Sequence, residues 1–164
     1  MPETLKNTYL NFITAHEGII HKVVGLYADG KQDKEDLYQE ILLQSWRSYS
    51  NFKAKAQFST WLYRVALNTA LNFHRKRRKT ENLDAVQQVL VDKQKDDTSD
   101  TEILYLVIKS LSEVDRMLIT LHLDGYKNGE IAEITGMTVN HINVKLHRIR
   151  TIITNKFKAI HNEE

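Results

Sequence analysis

The sequence predicts an all-α fold made of two small helical domains joined by a flexible acidic linker. Three observations predict it. Proline occurs only at position 2, and no strand-like alternation stands out. Apolar residues recur at three- and four-residue steps through both halves. Between the halves the pattern gives way to polar and acidic residues, above all in Lys93-Gln94-Lys95-Asp96-Asp97-Thr98-Ser99-Asp100. The expected division is 5–79 for the first domain, 80–100 for the linker and 101–160 for the second.

The elements of the first half follow in order. Tyr9, Phe12, Ile13, His16, Ile19, Ile20, Val23, Val24 and Tyr27 make one amphipathic helix that ends near Gly30. Asp33 is a natural N-cap for a second, which runs to about Ser48 through Leu37, Ile41, Leu42 and Trp46. Tyr49 to Gln57 reads as a polar loop holding Asn51, Phe52, Lys53 and Lys55. Ser59 caps a third helix, with Phe58 placed to pack on Tyr63 as a hydrophobic staple. That helix continues through Leu62, Val65, Ala66, Thr69 and Phe73 into the run His74-Arg75-Lys76-Arg77-Arg78-Lys79. Within the linker, Leu83, Val86, Val89 and Leu90 could form a weak helix or dock on a neighbour.

The second half reads as four short helices. Leu104, Val107, Ile108 and Leu111 mark the first. Ser112-Glu113-Val114-Asp115 resembles a capping box opening the second, which ends at Gly125. Asn128 caps the third, closing at Gly136, and Thr138 caps the last, with the stripe Val139, Ile142, Leu146, Ile149 and Ile153 turned inward.

Composition narrows the function. No run approaches the roughly 20 apolar residues of a membrane span. The N-terminus has no basic stretch leading into an apolar core, so the cytoplasm is the expected location. With no cysteine there is no disulfide framework, thiolate zinc site or thiol nucleophile. His16 and His21 are five apart and His141 and His147 six apart, so neither pair shares a helical face as an i, i+4 zinc pair would. No metal or other cofactor is expected. Net charge is only +2, but its distribution is uneven: the basic run 74–79 contrasts with five acids against two lysines between Asp92 and Glu102. Separated charge blocks let a nearly neutral chain bind a polyanion.

The second half carries a helix-turn-helix pattern. Ala132 is the small residue where two steeply crossed helices touch, Gly136 tolerates the positive φ of the turn, and Ile142 returns into the shared core. The last helix then turns Asn140, His141, Val144, Lys145 and Arg148 outward, with Thr138 at its start. Amide and cationic groups suit base edges and phosphates, and Val144 suits a thymine methyl. His147 and Arg150 flank this face and suit phosphate.

In the first half, Trp61, Arg64, Asn68, Asn72, Arg75 and Lys79 follow steps of three or four and so share a face. An indole at the head of a basic stripe can stack on an exposed base. Packing of Trp61 onto the first helix is an equal alternative for that residue. The loop 51–57 lies at the same end and could receive an extruded base. A further face holds Asp36, Gln39, Glu40, Leu43 and Arg47. The carboxylate pair invites a metal-site reading, but no histidine or third carboxylate joins it; Leu43 framed by polar residues points to a protein contact.

Together these pieces resemble the sigma-70 family, specifically the small extracytoplasmic-function (ECF) group with only regions two and four. The N-terminal resemblance runs from about Phe12 to Lys79, through Glu35-Asp36-Leu37-Tyr38-Gln39-Glu40 and Phe58-Ser59-Thr60-Trp61-Leu62-Tyr63-Arg64-Val65-Ala66-Leu67-Asn68. The C-terminal one runs from about Leu111 to Lys156, centred on Asn128-Gly129-Glu130-Ile131-Ala132-Glu133-Ile134-Thr135-Gly136 and Val144-Lys145-Leu146-His147-Arg148-Ile149-Arg150. Leu111-Ser112 stands where the family commonly has Leu-Pro, and serine caps the helix equally well.

The resemblance implies a non-enzymatic factor that binds core RNA polymerase and directs promoter-specific initiation. It implies that Asp36, Gln39, Glu40 and Leu43 dock on the polymerase clamp, and that the loop carrying Asn51, Phe52, Lys53 and Lys55 takes a flipped base of the minus-ten element. Trp61, Arg64, Asn68, Asn72 and Arg75 would then lie at the fork where the strands part. Region four would read the minus-thirty-five element through Thr138, Asn140, His141, Val144, Lys145 and Arg148, and contact the polymerase flap. An anti-sigma factor is a further implied partner. The alternative is a stand-alone helix-turn-helix regulator, which would bind duplex tightly without polymerase. A nuclease using Asp36 and Glu40 lacks its third ligand.

Overall fold

The computed structural model describes residues 2–78 and 99–161. Its contacts divide the chain into two compact units, Met1–Thr80 and Glu81–Glu164. Every element among the described residues is an α-helix, eight in all, in line with the all-α expectation.

The first unit contains α1 (Glu3–Ala15), α2 (Glu17–Tyr27), α3 (Lys31–Tyr49) and α4 (Phe58–Arg78). Helices α2 and α3 both pack on α4 and on each other. Ile20 and Val23 of α2, Leu37 and Ile41 of α3, and Leu62, Ala66 and Ala70 of α4 have no exposed surface. Each is spaced from its helix neighbour by three or four residues, so amphipathic periodicity alone brings them to one core.

Three local expectations need correction. The single helix expected up to Gly30 is two helices. The backbone leaves helical geometry at His16 (φ −120°, ψ 16°), where the N–H is shared between the carbonyls of Phe12 and Ile13 at 3.2 and 3.1 Å and Nδ1 lies 2.8 Å from the Phe12 oxygen. A one-residue break leaves the apolar spacing almost unchanged, so periodicity does not register it. Second, α3 starts at Lys31 and not after an Asp33 cap. Gly30, in the left-handed region at φ 74°, occupies the N-cap position. Asp33 sits in the first turn, where its charge complements the helix dipole, and pairs with Arg77 of α4. Third, α4 begins at Phe58, one residue before the expected Ser59 cap, with the Trp61 N–H donating to the Gln57 carbonyl at 3.1 Å. Phe58 is buried among Phe12, Phe52 and Trp61; its burial in this ring cluster explains why the helix opens there.

The second unit contains α5 (Asp100–Lys109), α6 (Glu113–Leu123), α7 (Asn128–Thr135) and α8 (Val139–His161). Ser99 and Glu102 form a full capping box on α5. Ser112 caps α6 by accepting from the Asp115 N–H at 3.3 Å. At α7 the N-cap is Lys127, with Asn128 the first helical residue; the Glu130 carboxylate accepts from the Lys127 N–H at 2.7 Å. Leu118, Leu121, Ile131 and Ile142 are wholly buried and form the centre.

Helix α8 has 23 residues and is not short. Its far end runs back along α5, where Lys156 donates to Ser110 at 2.8 Å and His161 meets Asp100 at 3.3 Å. Arg116 is buried yet satisfied in part by the carbonyls of Lys109 and Leu111, at 2.6 and 3.1 Å. A buried guanidinium without such acceptors would be costly; here it ties the end of α5 to α6. The expected linker residues up to 98, with Leu83, Val86, Val89 and Leu90, lie outside the described residues, as does Lys79. Ser99 and Asp100 already belong to the start of α5.

Candidate nucleic-acid and protein-docking surfaces

The helix-turn-helix is built as its sequence requires. Gly136 closes α7 at φ 75°, and its N–H donates to the Ala132 carbonyl at 2.9 Å. This αL closure is the usual role of a C-terminal glycine. Thr138 then caps α8, its Oγ1 accepting from the His141 N–H at 3.2 Å. Ile142, Leu146 and Ile149 point into the core. Val139, expected on that stripe, is 44% exposed, because it sits one turn ahead of Ile142 and beyond the core.

Asn140, His141, Val144 and Arg148 are exposed along the opposite face, with His147 and Arg150 beside them. Lys145 differs from them. It is half-buried, and its Nζ lies 3.1 Å from a carboxylate oxygen of Asp115 on α6. The Asn128 amide donates to the side chain of Asn143, and Arg150 meets His122 at 2.8 Å. Three side chains from α6 and α7 therefore hold α8 at Asn143, Lys145 and Arg150. Sequence reasoning named neither Asp115 nor Asn143 as part of this face; the contacts join residues 30 and 15 positions apart, beyond the reach of helical periodicity.

In the first unit Arg64, Asn68, Asn72 and Arg75 are exposed along one side of α4. Trp61 at its head is half-buried, with ring centroids 5.2 Å from both Phe52 and Phe58 and 6.1 Å from Tyr49. The packing alternative for this indole thus has substance, although its partners lie in the loop and on α3 and α4. Phe52 is half-buried too, stacked on Tyr49 at 6.1 Å with an interplanar angle of 18°. Asn51, Lys53 and Lys55 are exposed on the loop, which includes Ala54 at φ 54°. An alanine in the left-handed region carries strain of about 1 kcal/mol, so the aromatic anchors at both ends hold the loop in a conformation it would not adopt freely.

Asp36, Gln39 and Leu43 are exposed on α3, and Glu40 is half-buried, accepting from the Gln44 amide at 2.7 Å. These four residues line a groove of about 740 Å³ between α3 and α4 whose other wall includes Asn68 and Asn72. Sequence reasoning treated the α3 face and the α4 stripe as separate; the helix packing brings Asn68 and Asn72 of the stripe to the open groove that the α3 residues line. Leu43 also borders a smaller groove of about 390 Å³ between α1 and α3, with Leu10, Ile13 and Trp46.

Helix α2 is tied to α3 by the Tyr38 hydroxyl, which donates to Glu17 at 2.6 Å while His21 stacks on the Tyr38 ring at 5.1 Å. Partial burial and the adjacent carboxylate push the phenol up to about 12. Hydrogen bonds from Tyr38 and His21 draw the Glu17 carboxyl below its ordinary value. Among the described residues no group of three His, Asp or Glu side chains could hold a metal ion.

A helical unit bearing a basic stripe, followed by a helix-turn-helix with an exposed polar recognition face, defines a DNA-binding transcription protein. Residues 12–80 match the family Sigma-70 region 2, and residues 101–153 match Sigma-70, region 4. The ECF RNA polymerase sigma-E factor of Escherichia coli strain K12 is 31% identical over 158 residues, covering 85% of this chain and 83% of that protein. The sigma-E factor of Haemophilus influenzae is equally similar, at 31% over 85% of this chain and 84% of its own length. The chain belongs to the sigma-70 family, and within it to the ECF sigma factors. Its fold resembles that of the sigma factor RpoE from Bartonella quintana, solved with the anti-sigma factor NepR, with a TM-score of 0.68 at 19% identity over 96% of this chain and 98% of that one. It also resembles CnrH, solved with the cytosolic domain of CnrY, with a TM-score of 0.67 at 17% identity over 94% and 90% of the two chains.

Proposed function

We propose that this sigma factor binds core RNA polymerase through Asp36, Gln39, Glu40 and Leu43 of α3, and reads promoter DNA with both units. Residues 5–79 act in polymerase binding and minus-ten recognition and melting, 80–98 as the tether, and 99–160 in minus-thirty-five recognition. Asn51, Lys53 and Lys55 present the loop to an extruded base of the minus-ten element, on the floor made by Phe52 and Trp61. Arg64, Asn68, Asn72 and Arg75 hold the adjoining strands. Extruding a base costs a few kcal/mol, which stacking, loop contacts and polymerase contacts together offset. Thr138, Asn140, His141, Val144 and Arg148 meet the minus-thirty-five duplex, while Lys145, expected among them, is engaged by Asp115 and stands back from the phosphates. The chain makes and breaks no bond itself; nucleotide addition belongs to the polymerase. It works in the cytoplasm, where polymerase and promoter are; no helix among the described residues is long and apolar enough to cross a membrane.

The observation that carries this reading is the shared groove between α3 and α4. A protein element docked on Asp36, Glu40 and Leu43 comes within reach of Asn68 and Asn72, which joins polymerase binding to the DNA stripe. An anti-sigma factor is the further partner, supported by the structural relative from Bartonella quintana solved with the anti-sigma factor NepR. One occupant of this groove would block both activities of the unit.

Transcription reconstituted with core polymerase tests the reading. Glu40→Lys loses core binding, and the Arg64→Ala, Asn68→Ala double variant keeps it but opens promoters poorly. If both transcribe like the parent, the assigned surfaces are wrong. If the purified chain binds specific duplex tightly and has no affinity for core polymerase, it acts as a stand-alone regulator.

A further inference from the structure

The recognition helix carries one cation that is already engaged. Lys145 Nζ lies 3.1 Å from Asp115, and the two side chains are only 27% and 20% exposed. Asp115 is itself fixed. It belongs to the first turn of α6, where its N–H is held by the Ser112 cap, and α6 packs directly on α8. A lysine that serves as a phosphate clamp keeps its ammonium in water until DNA displaces the counterions. Lys145 instead lies along the seam between α6 and α8 with a carboxylate as its built-in counterion. To reach a phosphate it must leave a carboxylate that is itself only 20% exposed. Arg148, one turn further along α8, is exposed and offers its charge to the duplex outright.

We propose that Asp115 is a specificity-determining residue of the DNA-reading unit: it holds Lys145 in place of a DNA phosphate, so that duplex of arbitrary sequence is gripped by one cation fewer. The pair does two things at once. It fixes the second turn of α8 against α6, which sets how Asn140 and Val144 enter the groove. It also withholds a sequence-independent contact, which would strengthen binding to every duplex alike and so dilute discrimination. A factor that must find promoters among a great excess of other DNA gains from a lower background affinity. The inference rests on the reading of α8 as the recognition helix.

The test is fluorescence anisotropy of the full chain on a labelled 30-base-pair duplex of random sequence, titrated across sodium chloride concentrations. Releasing Lys145 in Asp115→Asn should tighten binding about tenfold at 50 mM salt and steepen the slope of log K against log salt by about 0.9, the increment for one phosphate contact. Lys145→Gln in the otherwise unchanged chain should leave the slope as it is, and combined with Asp115→Asn it should cancel the gain. Asp115→Asn without a steeper slope overturns the proposal. So does Lys145→Gln with a slope shallower by about 0.9, since the lysine would then already be on phosphate. The Lys145→Gln arm decides the matter even where Asp115→Asn is poorly folded, as checked by thermal melting. Arg148→Ala separates the two levels. If it lowers the slope while Asp115→Asn does nothing, the proposal about Asp115 alone is wrong. If no α8 substitution changes binding, the recognition-helix reading fails with it.

Discussion

The Tyr9 hydroxyl of α1 lies 2.7 Å from the Ser45 hydroxyl of α3 inside the first unit. Both also reach the Leu42 carbonyl, at 3.2 and 2.9 Å, and the Tyr9 ring packs edge-on against Trp46 at 4.9 Å. This polar knot fastens α1, which the break at His16 would otherwise leave free to pivot, to the helix that carries the proposed polymerase-docking residues.

Tyr9→Phe keeps the ring contacts and removes the hydroxyl. The loss should be about 1 kcal/mol, the net worth of one internal hydrogen bond, since Ser45 still donates to Leu42. Urea unfolding followed by circular dichroism checks it: the midpoint should fall with the m-value unchanged.

Gly136→Ala should destabilise the second unit by about 1–2 kcal/mol, the cost of placing a β-carbon on left-handed backbone. No heavy atom lies within 4 Å of that added carbon, so the effect is conformational strain and not a clash. Gly136→Asn, which tolerates the same geometry better, should recover part of the loss in thermal melts.

Trp61→Ala should cost about 2 kcal/mol of stability, because the half-buried indole packs on three rings and such ring pairs contribute roughly 0.5–1.5 kcal/mol each. Trp61→Phe should retain most of that stability. Equal urea midpoints for the parent and the alanine variant would mean that the indole is held by nothing and serves DNA alone.

Leu43→Asp should leave stability within about 0.5 kcal/mol, as a substitution on exposed surface, while weakening core polymerase binding at least about tenfold if this leucine anchors the docking face. Titration of labelled factor with core enzyme, beside a melting curve, separates the two effects.

The link between Tyr38 and Glu17 makes a statement about pH. The phenol is raised in the folded chain to about 12, so its contribution is complete below the ordinary tyrosine range near 10 and is lost as pH rises toward 12. The Glu17 carboxyl is lowered, so its contribution is present above the ordinary carboxylate value and lost as pH falls through the depressed one. Both act fully at neutral pH. Tyr38→Phe should lower the urea midpoint at pH 7 and narrow the gap from the parent at pH 3 and at pH 12.

Some boundaries were legible because a local interaction writes them. Ser112, Thr138 and Gly136 each act within four residues of themselves, through a cap hydrogen bond or a left-handed turn, so local chemistry places them. Asp33 and Ser59 were equally plausible caps by that logic and took other roles. Asp33 was drawn into the first turn beside Arg77, and Ser59 followed a Phe58 already buried among aromatic rings. In both cases a partner distant in sequence outweighed the local preference.

Helical periodicity and the capping and turn residues by themselves determined that the described residues are all-helical, that the second half ends in a helix-turn-helix, and that Asn140, His141, Val144 and Arg148 line the outer face of α8. These depend on neighbours three or four residues apart, which the order of amino acids states directly. Only tertiary structure decided that Lys145 is tied to Asp115, that Trp61 packs into a ring cluster, and that Glu40 and Asn68 line a common groove. Those outcomes depend on how whole helices pack, where side chains far apart in the chain compete for the same space and the same counter-charge.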